Sequence, residues 1–194
     1  MGEAAAGPSF RTIEEAAQRA GAFCWIDQRL FEITGSWASA QGDPEVRVYF
    51  SESSARHAQC AAEWGDRLPV RAGVDSAALV APPASGSVQK ALEILEAEPE
   101  LLLELGGLVR VVLPRLLVAY AHHQASVSPV SEAPTAALLR QITPGATEEL
   151  RRGEHLLQRR LQQPEQAEIV AEFCLDLERP FGDTPGVFPD VRAS

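Results

Sequence analysis

Lysine is nearly absent from this chain. Lys90 is the only one, and the other basic residues are arginines. The 17 basic residues are outnumbered by 27 acidic ones, giving a formal net charge of −10 and a pI near 4.9. So acidic a surface lacks the basic footprint that nucleic acid or an anionic membrane requires of its main partner. Cysteine is sparse too: Cys24, Cys60 and Cys174 are scattered, with no Cys-x-x-Cys pair. That pattern builds neither a disulfide framework nor a zinc finger. It suits a reducing compartment, and the expected location is cytoplasmic. With four histidines in all, a histidine-rich metal store is excluded. No long apolar run is uninterrupted. The richest, Leu101 to Ala121, contains Glu104, Arg110, Pro114 and Arg115, so it reads as a buried helix rather than a membrane span. The opening "MGEAAAGPSF" has neither the basic start nor the apolar run of a secretory signal, and no myristoylation pattern. There is no Gly-x-Ser-x-Gly elbow, Walker A loop or Rossmann glycine fingerprint. No solenoid repeat is present, and no strand alternation persists.

What is present is helical periodicity. The 194 residues, 45% hydrophobic and 23% charged, suffice for one domain with a sizeable core. Residues 1–11 are expected to be a flexible N-terminus, 12–178 a single helical-bundle domain, and 179–194 an extended tail. Helix 1 is predicted over about Thr12 to Ala38, with the stripe Phe23, Ile26, Leu30, Ile33 and Trp37. Helix 2 runs from about Pro44 to Leu68, with Asp43 as N-cap and Pro44 at the first helical position. A shorter helix near Ser87 to Ala97 leads into helix 3, about Glu100 to Gln124. Helix 4 covers about Thr135 to Leu161, bent or split at "TPG", Thr143 to Gly145. A last helix spans about Glu165 to Glu178. "GGL" at Gly106 to Leu108 allows close helix packing. Long helices with short-to-medium loops predict an all-α antiparallel bundle.

Bundles build their sites from side chains facing inward. At 100° per residue, the inward row of helix 2 is Phe50, Ser54, His57, Ala61, Trp64 and Leu68. Asp27 and Thr34 fall near the middle of helix 1's apolar face. His123 lies on the inward row of helix 3, with His122 a quarter-turn away. Glu149 and Glu154 flank the inward row of helix 4, while Glu148 and His155 point outward. The candidate metal-ligating set is therefore Asp27, His57, His123 (or His122) and Glu149 (or Glu154). Carboxylate and imidazole together suit iron, manganese or zinc. The same residues also have metal-free readings. His57 can be a hydrogen-bonded core histidine, and Asp27 can pair with Arg56 or Arg115. His122 and His123 can cap a helix C-terminus, and the glutamates can form surface pairs.

The order of "DQRLFEITGSW", "HAQCAAEWGDRLP", "VRVVLPRLLVAYAHH" and "SPVSEAPTAALL…EELRRGEHLLQ" resembles an uncharacterised ferritin-like family found mostly in actinobacteria. These pieces cover most of Asp27 to Gln158. The resemblance implies a ferritin-like four-helix bundle with an extra C-terminal helix. In such carboxylate proteins two metals are held by a Glu from each of two helices and a Glu-x-x-His pair from each of the others. Here Ser54 stands three residues before His57, and Arg152 three before His155. A full di-iron site is not expected.

Two functional expectations follow. One is a metal-dependent oxidoreductase acting on a small molecule in bacterial specialised metabolism. It would use iron or manganese at Asp27, His57, His123 and Glu149. The other is a metal-free scaffold or partner-binding protein that has lost the di-iron site. A homodimer is compatible with either. Docking of Phe181, Val187 and Phe188 across a partner subunit belongs to the second, with packing of the tail on its own bundle as the alternative.

Overall fold

The computed structural model describes residues 12–70, 75–128 and 130–182, and its regular structure is entirely helical. Residues 1–11 and 183–194, with Val187 and Phe188, lie outside the described residues.

Helix α1, Ile13–Ala40, begins at Thr12, whose hydroxyl accepts from the Glu15 backbone N–H. The Glu15 carboxylate in turn accepts from the Thr12 N–H. This reciprocal capping box satisfies two otherwise orphaned donors. Helix α2, Pro44–Gly65, is capped by Asp43, which accepts from the N–H groups of Glu45 and Val46. Arg160 also bonds Asp43 and holds its carboxyl below the usual range. "VRVYF" is helical, as predicted.

Helix α3 is Ser87–Glu96. Helix α4 is composite: Leu101–Gly107, a π-helical turn Leu108–Val112, then Leu113–Ser126. The π turn was not foreseen, and Pro114 supplies its cause. A proline cannot donate to the carbonyl four residues back, and its ring crowds that carbonyl. The helix widens just before it, and the Leu113 N–H reaches back to Leu108 O.

Helix α5, Ala133–Gln158, runs unbroken through Pro144, where a bend or split was expected. Pro144 and Arg140, whose carbonyl the proline deprives, are both exposed, so water can serve that carbonyl. Helix α6 is Pro164–Glu178. The chain then makes a 3₁₀ turn, Arg179–Phe181, in place of the expected extended start. Phe181 is buried there with the Arg115 guanidinium 4.0 Å above its ring, and Arg115 also pairs with Glu178.

Contacts set the helix directions. Phe23 of α1 stacks on Trp64 of α2, while Trp37 meets Phe50, so the two run antiparallel. Asp27 meets Tyr120 and Gln41 meets Glu104, which makes α4 antiparallel to α1. Glu63 meets Gln141 and Asp43 meets Arg160, which makes α5 antiparallel to α2. Helices α2 and α4 therefore point the same way, so the end of α2 and the start of α4 lie at opposite ends of the bundle. Phe23, Ile26, Leu30, Phe50, Trp64, Leu105, Leu113, Tyr120 and Leu139 fill the enclosed interior. Among the described residues no helix is long and apolar enough to cross a membrane.

Glycines permit the closest approaches. Gly106 packs against Val170 and Gly107 against Leu95, Phe173 and Leu177, as "GGL" suggested. At Gly153 an added methyl would overlap the Tyr49 hydroxyl and a methyl of Val109. Gly153→Ala is therefore expected to cost about 1–3 kcal/mol, read as a lower urea midpoint with an unchanged slope.

Candidate functional site: a buried polar network

Three of the four candidate residues meet in the interior. Asp27 from α1 and His57 from α2 are fully buried, and His57 Nδ1 lies 2.6 Å from Asp27 Oδ1. The other Asp27 oxygen accepts from the Tyr120 hydroxyl of α4 at 3.3 Å. The other imidazole nitrogen, Nε2, lies 2.8 Å from Nη2 of Arg56. A guanidinium can only donate, so Nε2 is the acceptor and the ring proton sits on Nδ1, donated to Asp27. Burial, and then the Arg56 charge, pull His57 below the usual imidazole range, against the opposite pull of Asp27.

Arg56 also forms an ion pair with Glu149 Oε2 of α5, and the Ser53 hydroxyl donates to Glu149 Oε1. Glu149 is 6% exposed, so this is an interior pair rather than the surface one its arginine-rich helix suggested. The Tyr49 hydroxyl donates to the Glu149 carbonyl at 3.3 Å and ties the same two helices together. Four helices thus share one polar network: α1 through Asp27, α2 through Ser53, Arg56 and His57, α4 through Tyr120, and α5 through Glu149. Cys60 and Cys24 lie among the buried residues beside it. Burial and then Asp27 raise both thiols, Cys60 to about 12, so neither is a ready nucleophile.

His123 is not part of this group. It is buried, with its ring nearly parallel to Phe23 and Trp64, at 5.7 and 6.2 Å between centroids. The carboxylate facing it is Glu132, 3.9 Å from Nε2. The two alternatives also lie elsewhere: His122 is exposed, and Glu154 pairs with Arg110. His155 and Glu148 are exposed, as the projection predicted.

As folded, these side chains do not fit a metal ion. His57 Nδ1 is committed to Asp27, while Nε2 and Glu149 both face the guanidinium of Arg56. Among the described residues, no group of three or more His, Cys, Asp or Glu side chains is placed to hold one. The place that a cation would take between Nε2 and Glu149 is filled by the cation of Arg56. Sequence reasoning named Arg56 only as a possible partner of Asp27, and it missed Ser53, Tyr49 and Tyr120. Arg56 sits one residue, hence 100°, from the inward row, and no periodicity marks how far its long side chain curls back.

A second buried acid, Glu104, stands at the start of α4. Gln41, the C-cap of α1, donates to it at 2.8 Å. Burial raises Glu104 to about 7, against the lowering effect of Gln41, with Glu98 and Glu100 adding to the rise.

No protein-family model, curated protein or solved structure matches this chain.

Two predictions follow. Arg56→Ala strands Glu149 and His57 Nε2 and is expected to cost about 3–5 kcal/mol in urea unfolding. Replacing the pair together, as Arg56→Met with Glu149→Leu, should recover much of that loss. For Glu104, the folded state holds its proton to a higher pH than the unfolded chain. Its contribution is complete below about pH 4.5 and is lost as pH rises through about 7. Glu104→Gln should therefore melt about 3 °C above the parent at pH 8, with the gap closing at pH 5.

Proposed function

We propose that this chain is a ferritin-like helical bundle that has lost its di-iron site and works without metal, as a scaffold or partner-binding protein. The observation that carries the reading is the Arg56 guanidinium, bonded to both Glu149 and His57 Nε2. It supplies positive charge to both acceptors and occupies the space beside them that an ion would take. The ferritin-like assignment draws support from the shared direction of α2 and α4, since one long crossover connection is the mark of that topology. Phe31, Val48, Ile169 and Leu175 are exposed apolar side chains that a partner would cover. A second copy of the chain is one such partner.

A second reading, a metal-dependent oxidoreductase acting on a small molecule, is favoured by one feature. Asp27 holds the Nδ1 proton and aims Nε2 toward a carboxylate, the arrangement in which an outer carboxylate orients a metal-bound histidine. Plasma mass spectrometry separates the two readings, on protein as purified and again after anaerobic loading with ferrous iron and desalting. The metal-free reading expects only substoichiometric metal in both. About one tightly held ion per chain, lost in His57→Ala, would overturn it in favour of the second.

A further inference from the structure

We infer that Arg56 stands in for a divalent cation, so that removing its guanidinium turns the interior into a transition-metal site. The inference rests on the metal-free reading above and adds the identity of the group that keeps metal out. Its first support is a distance. His57 Nε2 and Glu149 Oε1 are 3.6 Å apart. Two donors each about 2.1 Å from a tetrahedral ion stand roughly 3.4 Å apart, so the pair is already spaced to share one ion.

The second support is the surrounding shell. Asp27 accepts the Nδ1 proton of His57, which fixes the tautomer that leaves Nε2 as the donor atom. Ser53 donates to Glu149 Oε1 and orients that carboxylate. Such partners beyond the ligands are what set ligand direction and basicity at a metal centre. Here they are in place around a guanidinium.

The third support is access. The Arg56 side chain is 19% exposed, whereas those of His57 and Asp27 are fully buried. Its stem passes Gly145 of α5, where even an added Cβ would come no nearer than 3.5 Å. Nε and Nη1 of Arg56 are buried, so the side chain itself lies between the network and solvent along the α2–α5 seam. Water would enter there in Arg56→Ala and complete the coordination of an ion held by His57 and Glu149.

The test is titration with Co²⁺ and Zn²⁺ of the parent protein, Arg56→Ala, Arg56→Lys and the double variant Arg56→Ala/His57→Ala. Co²⁺ absorption in the visible reports the ligand field, and competition with Zn²⁺ gives the affinity. Arg56→Ala is expected to bind one ion at least 100-fold more tightly than the parent. Arg56→Lys, which keeps the charge, is expected to stay metal-free, and the double variant to lose binding again. Should Arg56→Ala fold poorly, Zn²⁺ is expected to restore a cooperative melt, because binding to the folded form is folding free energy. If Arg56→Ala binds no better than a metal-free parent, or if Zn²⁺ fails to rescue its melt, this inference falls and the metal-free reading stands. Equal binding with and without His57 would place the ion elsewhere and also overturn the inference. A parent that itself binds one ion tightly through His57 would overturn the reading beneath it.

Discussion

An ionic side chain taken out of water needs a partner of fixed geometry, and in this protein four helices combine to meet that need. Asp27 bonds His57 and Tyr120. Glu149 accepts from Ser53 and pairs in charge with Arg56, whose Nε and Nη1 are buried without a hydrogen-bond partner among the described residues. The two halves join where Nε2 of His57 accepts from Arg56. Apolar contacts around this network are tolerant of small shifts, because dispersion and area burial have little direction. Hydrogen bonds to charged groups are not, and one half-satisfied member would cost more than an apolar replacement. The network links four helices at fixed turns. Asp27 of α1 meets His57 of α2 and Tyr120 of α4, and Ser53 and Arg56 of α2 meet Glu149 of α5.

The fit of α4 shows how local chemistry serves that constraint. Pro114 forces the wide turn at Leu108–Val112, which inserts part of an extra residue into the helix and rotates everything after it. Tyr120 and His123 follow that turn, and both end in the interior. Gly106 and Gly107 on the same helix let α6 and α3 side chains approach its backbone. Gly153 does the same for Tyr49 on the far side of the network. Large side chains supply most of the buried area, but small ones set how close the helices can come.

Arg56 changes what the interior can do. A carboxylate–histidine–carboxylate series is neutral ground between a structural core and a metal centre, and the group lying between the last two decides which it is. A guanidinium on a long stem is bound covalently, always charged and reversible only by movement, whereas an ion comes and goes with its concentration. In this chain the guanidinium is a permanent internal counter-charge beside Glu149.

Much of this was legible in the amino-acid sequence alone. The three-and-four spacing in α1, α2 and α5 placed Asp27, Thr34 and His57 inside, Glu149 at the edge of the inward row, and Glu148, His155 and Glu32 outside, because a helix's period fixes which residues share a face. Asp43 and Pro44 marked the start of α2 through capping chemistry that is local by nature. What only the tertiary structure decided is which inward groups touch. His123 and Glu149 are both buried, yet one sits in an aromatic stack near the end of α2 and the other beside Ser53 further down the same helix. Periodicity fixes an angle around each helix axis; it does not fix the sliding of one helix along another. Nor does it say where a four-bond side chain such as Arg56 will end. Those depend on packing among residues far apart in the chain, and that packing sets the Arg56 guanidinium against Glu149 and His57 Nε2.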